Sequence, residues 1–367
     1  MIDIAAVTLA NLEREHPERL QWKPSWSDFR LAYRGGEEFK QAAGHTTSFY
    51  GGTDSAAALA RMVAPGNGRL PRRFLWQHEG EPDVVYHQRW RQMEYINYPG
   101  AMADYFTQYL HSLPPIIRPE EGTDEPDWSQ QFRRNASGNK ESFEDFLKRL
   151  FPDILTCRYA GWIIGRPDSV GEQGKDDESL ILSPYQAEEI VDWQKNGCGD
   201  LLWIVLKKER FERTFPAERI RIETYTYLSQ DQWATWECRR EGNDAQIELI
   251  AEATHTLGQV PWVWYEVPVG LWLMNRVFSP AMGLTNRWNG LKRAQLNGTF
   301  LQPYLKTRET DTGKGQRIWG SEYILELRTG SQGQEAEDAG WLAPNVAPLE
   351  HLSKQLREDK DELYRIV

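Results

Sequence analysis

The hydrophobic period of this chain changes twice, from helical to alternating and back, and that switch restricts the fold more than any single motif does. From Val84 to Leu113 the positions Val85, Trp90, Met93, Ile96, Met102, Phe106, Tyr109 and Leu113 recur at helical intervals, and Pro99-Gly100 should split the helix in two. Ser142 with Asp145 makes a capping box, after which Phe143, Phe146, Leu147, Leu150 and Phe151 share one face before Pro152. An apolar run, Ile154 to Ile164, then meets a loop from Gly165 to Ser179. Between about Leu180 and Val267 the period becomes two. Leu201–Leu206, Ile220–Tyr227, Gln232–Arg239 and Ile247–Ala253 read as strands separated by polar turns, which predicts a small antiparallel β-module. At Ser279-Pro280 the helical period returns: Ser caps, Pro suits the first helical position, Ala281, Leu284, Trp288 and Leu291 follow, and Gly298 suits the end. Residues 304–328 read as two strands joined by a turn from Asp311 to Gln316, and Pro348 opens a last helix striped by Leu349, Leu352, Leu356 and Leu363. The expected class is α+β.

Composition then removes whole classes. At 26% charged and 40% hydrophobic the chain is neither disordered nor fibrous, and 367 residues suit about two domains with a sizeable core. Cys157, Cys198 and Cys238 are too few and too scattered for a disulfide framework or a metal knuckle, so a reducing compartment fits best. The first twenty residues carry acids and lack a basic start before an apolar core, so no secretory signal is expected. The most apolar stretch, Val260 to Phe278, is interrupted by Pro261, Glu266, Pro268 and Arg276, and no transmembrane helix is predicted. A net charge of -11 argues against uniform coating of nucleic acid. Sixteen tryptophans, with 15 Tyr and 13 Phe, point first to core and subunit-interface packing and second to sugar or base stacking.

Spacings that carry chemistry are missing. The seven histidines form no metal-ligand pattern, no GxSxG elbow occurs, and Thr312-Gly313-Lys314-Gly315 lacks the upstream glycine and following Ser/Thr of a phosphate loop. Pro167-Asp168 with Glu172 and Lys175 has a loose likeness to a metal-dependent nuclease, but its loop setting reads better as a solvated turn. No catalytic residue, metal or cofactor is expected. Charge segregation says more. From Val267 to Arg308 there is no Asp or Glu, while Arg276, Arg287, Lys292, Arg293, Lys306 and Arg308 supply six positive charges. Such a segment faces either acidic neighbours, in this chain or another subunit, or phosphate. Residues 333–362 invert the sign, with eight acids against Lys354, Arg357 and Lys360, as a solvated helix face or a negative channel lining would.

The order of segments resembles the portal (head–tail connector) proteins of tailed bacteriophages. The resemblance rests on Trp26 to Gly36 (WSDFRLAYRGG); on the Tyr86, Arg89, Tyr95 and Asn97 helix running to Leu113-Pro114-Pro115; on Ser183 to Trp193 (SPYQAEEIVDW) before the Leu201–Leu206 strand; on Leu257 to Pro261 (LGQVP) before the long helix; and on Gln302 to Leu305 (QPYL) with the final Leu-patterned helix. It implies a portal-like subunit: a mainly helical wing with part of the stem in residues 1–179, a β-rich module containing the clip in 180–267, a stem helix in 268–300, wing strands and loop in 301–347, and a tunnel helix in 348–367 with a short or absent crown. It further implies a ring, commonly of twelve copies, at one capsid vertex of the virion. The ring is assembled in the bacterial cytoplasm, joined to the major capsid protein, docks terminase and a head–tail adaptor or tail protein, and passes double-stranded DNA without reading sequence. Arg287, Lys292, Arg293, Lys306 and Arg308 are then candidates to face DNA, and Lys354, Arg357, Glu358 and Asp361 to line the tunnel. Competing readings are a Trp-rich carbohydrate-binding protein and a DNA-processing metalloenzyme.

Overall fold

The computed structural model describes residues 4–43, 73–77, 81, 83–113, 127–165, 180–213, 219–241, 244–299, 302–308, 325–329, 338–342 and 347–366, the three segments between 302 and 342 as backbone. In chain order the helices are α1 (Leu9–Leu12), α2 (Pro17–Arg34), α3 (Gly36–Ala43), α4 (Asp83–Arg91), α5 (Tyr98–Leu110), α6 (Asp127–Arg134), α7 (Phe143–Cys157), α8 (Leu273–Thr299) and α9 (Ala347–Ile366). The strands are β1 (Tyr159–Gly165), β2 (Ile181–Gln186), β3 (Ile190–Lys195), β4 (Leu201–Arg213), β5 (Arg219–Ser229), β6 (Gln232–Glu241), β7 (Asp244–Thr254), β8 (Trp262–Glu266), β9 (Gln302–Arg308), β10 (Leu325–Thr329) and β11 (Asp338–Leu342). The class is α+β. Of the described residues, one compact unit takes 4–34 and 97–276, and a second takes 35–43, 73–96 and 277–366.

In the first unit β3 to β7 form a five-stranded antiparallel meander. All four expected strands fall inside it. Alternation along β4, β5 and β6 buries Val205, Tyr225, Tyr227, Ala234, Trp236 and Cys238 on one face, where Leu12 and the half-buried Val7 and Leu9 cover them. Residues 180–267 nevertheless serve two sheets, because β2 and β8 leave the meander and flank β1 in an antiparallel sheet, order β2-β1-β8. The sequence does not announce that second sheet, since the apolar run Ile154 to Ile164 divides between the end of α7 and β1. Gly161 on β1 is required by close approach: a Cβ there would stand 2.1 Å from Trp262 Cζ2 and 2.7 Å from the Val263 carbonyl.

Helix α7 starts where expected, with Ser142 Oγ accepting the Asp145 amide at 3.1 Å, but it does not stop at Pro152. A proline inside a helix costs about 3 kcal/mol. The turn beyond it buries Ile154, Leu155, Thr156 and Cys157, and Trp272 Nε1 donates to the Thr156 carbonyl at 3.0 Å; this burial outweighs the lost bond. Arg158 then takes φ 80°, an unusual value for a non-glycine residue. Its guanidinium pairs with Glu18 and Glu266, and its carbonyl accepts the Val267 amide at 3.0 Å, which together hold the reversal from α7 into β1.

Tryptophans fill this unit. Trp26 stands edge-on to Tyr159, which also meets Trp193 and Trp264, and Trp272 takes Trp22 and Phe29 edge-on at 5.1 and 5.4 Å. Among the described tryptophan side chains Trp76, in the second unit, is the exposed one.

The second unit takes α4 and α8 from Val277 onward, whereas α5 and the first turn of α8 belong to the first unit. The expected break of the Val84 to Leu113 helix occurs, although Pro99 lies inside the first turn of α5 and Asn97 caps it, accepting the Gly100 amide at 2.8 Å. Helix α8 begins six residues before the predicted Ser279 and carries Pro280 in its interior, because Trp272, Leu273, Met274 and Val277 are all buried ahead of it. On α9 Leu356 and Leu363 are buried, Leu349 is half-buried and Leu352 is exposed. Strands β9 and β10 exist, but they pair in parallel, Leu325 opposite Tyr304, with β11 antiparallel on the other side of β9. A tight turn cannot join parallel neighbours, so the hairpin reading is corrected. The expected turn from Asp311 to Gln316 lies outside the described residues.

Candidate functional site

Helix α8 carries the acid-free, basic stretch, and within the second unit its cations meet acceptors from the same chain. Arg287, on an exposed part of the helix, forms an ion pair with Asp359 of α9. One turn further, Lys292 pairs with Glu94 and lies 5.7 Å from the Trp288 ring centroid, while Trp288 Nε1 donates to Glu94 at 3.3 Å. The ammonium and indole hold the Glu94 carboxyl below its ordinary pKa. Arg293 Nη1 donates to the Val85 carbonyl of α4 at 3.2 Å. Of the two alternatives for the acid-free stretch, acidic neighbours are therefore present for Arg287 and Lys292. Lys306 and Arg308 lie on the central strand β9, two residues apart and so on one face, and their side chains are outside the described residues.

The α9 candidates lie apart from that contact. Lys354, Arg357, Glu358 and Asp361 are all exposed, Lys354 and Glu358 forming an i,i+4 pair at 3.9 Å. They surround the helix on the sides away from Leu356 and Leu363, so α9 offers a mixed-charge surface while one edge, through Asp359, holds α8.

Sequence reasoning missed the groups that fix α8 in place. Asn286 and Asn289 are buried and each reads a stretch of backbone like a neighbouring strand. Asn286 Oδ1 accepts the Trp76 amide at 2.8 Å while its Nδ2 donates to the carbonyls of Phe74 at 2.7 Å and Met282 at 2.8 Å. Asn289 repeats the pattern on Glu94, accepting its amide at 2.9 Å and donating to its carbonyl at 2.8 Å. Beside them Arg89 makes a two-pronged pair with Glu81 at 3.0 and 2.8 Å and reaches the Trp76 carbonyl. The available signal was two asparagines, beside Thr285, on the mostly apolar side of α8, which must find partners once buried.

The first unit holds its own polar centre. Glu223, 1% exposed, lies within 2.9 Å of Lys207, 2.8 Å of Arg221 and 3.0 Å of Arg240, and accepts the Tyr225 hydroxyl at 3.1 Å. Burial alone would raise its pKa, but the hydrogen-bonded cations outweigh it and the carboxyl is held below the ordinary range. An open polar groove of about 410 Å³ between α5 and α7 is lined by Asp104, Thr107, Gln108, Asp145, Lys148 and Arg149. Among the described residues no group of three or more His, Cys, Asp or Glu could hold a metal, and no helix is long and apolar enough to cross a membrane. Asp168, Glu172 and Lys175 lie outside the described residues. The sequence matches no protein-family model and no curated protein.

Proposed function

We propose that the protein is the subunit of a portal ring of a tailed bacteriophage, the assembly at one capsid vertex through which double-stranded DNA is packaged and ejected. The observation that carries this reading is the order of elements: helices α2 to α7, the β-rich stretch from β1 to β8, the 27-residue α8 and the 20-residue α9, in the sequence in which a portal chain places wing, clip, stem and tunnel helix. In such a ring the work is geometric. One heterologous interface, repeated by rotation, closes on itself and leaves a hole, and no bond is made or broken. The ring joins the major capsid protein and docks terminase on one side of packaging and a head–tail adaptor or tail protein on the other.

In this reading the exposed surface of α9, with Lys354, Arg357, Glu358 and Asp361, borders the channel, where mixed charge lets phosphate pass without holding it. Arg287, Lys292 and Arg293 act first as struts of α8 and reach DNA only in competition with Asp359, Glu94 and the Val85 carbonyl. A carbohydrate platform is less favoured because the described indoles, Trp76 apart, are buried or half-buried. Negative-stain electron microscopy of the purified protein tests the proposal: closed rings with a central hole, about twelvefold, are expected. A monomer at micromolar concentration, with no ring in assembled particles, would remove it.

A further inference from the structure

Sheet edges present rows of unpaired N–H and C=O groups, and proteins blunt them with lysine, proline, short strands or covering segments. The two edges of the meander differ. Along β3 the edge is partly covered, since the His16 amide donates to the Val191 carbonyl at 3.0 Å. Among the described strands β7 is the other edge, eleven residues long, with no Lys, Arg or Pro, and residues 245–254 are exposed or half-buried throughout. Its pairing with β6 is regular from Glu241 opposite Asp244 to Trp236 opposite Leu249, and a bulge at Ile250 ends that register.

Before the bulge the two faces have distinct chemistry. Ala245, Ile247 and Leu249 oppose Arg240, Cys238 and Trp236, and so continue the core face, where Leu249 is left 40% exposed at the rim. Gln246 and Glu248 point to the other face, and Glu248 stands directly opposite Glu237. Like charges in register repel. Glu237 is relieved by Arg210 at 2.6 Å, whereas Glu248 has no ion-pair partner among the described residues.

We propose that residues 245–249 of β7 dock an extended segment of another protein in which apolar and basic residues alternate. The added strand satisfies the outward main-chain groups. Its apolar residues extend the core rim beside Leu249, and a basic residue beside Glu248 relieves the repulsion with Glu237. The inference stands on the sheet edge and does not depend on the ring reading.

The test uses the full-length chain and a capped seven-residue peptide alternating Val and Lys, followed by fluorescence anisotropy and amide hydrogen exchange. Binding is expected, with exchange slowed at residues 245–249. Methylating alternate peptide nitrogens should abolish it, and Glu248→Lys should weaken it about fivefold at a melting temperature that is not lowered, since lysine there also faces Glu237. Equal binding of a Val/Glu peptide, equal binding of the methylated peptide, no binding, or protection elsewhere on the chain would each overturn the proposal. So would self-association through β7 that Leu249→Lys abolishes, because the occupant would then be a second copy.

Discussion

Replacing Asn286 by alanine removes three hydrogen bonds at once, and the loss can be worked out from the groups left behind. The Phe74 carbonyl belongs to a fully buried residue and the Trp76 amide to a half-shielded segment, while the Met282 carbonyl is already served within α8. An unsatisfied buried polar group costs about 1–3 kcal/mol, and water can reach the Trp76 amide more readily than the Phe74 carbonyl, so Asn286→Ala should cost about 2–4 kcal/mol. Asn286→Asp is the sharper perturbation. The carboxylate can still accept the Trp76 amide, but its second oxygen faces the Phe74 and Met282 carbonyls, where only a protonated acid can donate. Its folded-state pKa is therefore raised above the ordinary value of about 3.9, and stability present at low pH is lost as pH rises past that value. Urea denaturation of the wild type and both variants at pH 4.5 and 7.5, with hydrogen exchange at residues 74–77 as the local readout, decides the matter. A cost below about 0.5 kcal/mol for Asn286→Ala, or an Asn286→Asp penalty that does not grow with pH, would refute the backbone-clamp account.

Three further outcomes are expected. Glu223→Gln should cost about 1–3 kcal/mol, less than a fully sealed pair because Arg221 and Arg240 remain partly solvated. The Glu223 contribution is complete above the unfolded pKa near 4.5 and disappears as pH falls through the depressed folded value, so the variant should show a shallower loss of stability in acid titration. Gly161→Ala should lower the melting midpoint by the equivalent of about 1–3 kcal/mol, since Trp262 and the Val263 carbonyl must both give way; an unchanged melt would contradict the close approach. Reversing Arg287, Lys292 and Arg293 to Glu places acids against Asp359 and Glu94 and should cost about 1–3 kcal/mol in total, more at low salt. If the proposed portal reading holds, the same variant in infection assays should impair packaging or DNA retention while rings persist; absence of the ring would make the basic stretch structural, and normal packaging would make its charge incidental.

Elements were legible in the sequence wherever one face met the core in a regular register. The meander strands alternate over long stretches, and Ser142, Leu356 and Leu363 announce their helices by position alone. Proline misled twice, at Pro152 and Pro280, because its local cost is fixed whereas the burial beyond it depends on partners distant in sequence, such as Trp272 on Thr156. Pairing partners were illegible for the same reason. Nothing in β9 or β10 distinguishes a parallel neighbour from a hairpin, and nothing in β1 announces β8 a hundred residues later. Charge segregation offered acidic neighbours as one alternative for α8 without naming α9, and the side chains that secure α8 are uncharged asparagines, which no charge count detects.

The second unit is discontinuous: residues 35–43 and 73–96 are completed only by residues 277–366. During synthesis its early pieces leave the ribosome and wait while some 180 residues of the first unit are made. At the usual 5–20 residues per second that delay is roughly 10–40 s, during which Phe39, Phe74 and Tyr86, all fully buried at the end, lack the rest of their unit, including Phe278 of α8 beside Phe74. The nascent chain should accordingly be a chaperone client until Asn286 and Asn289 emerge.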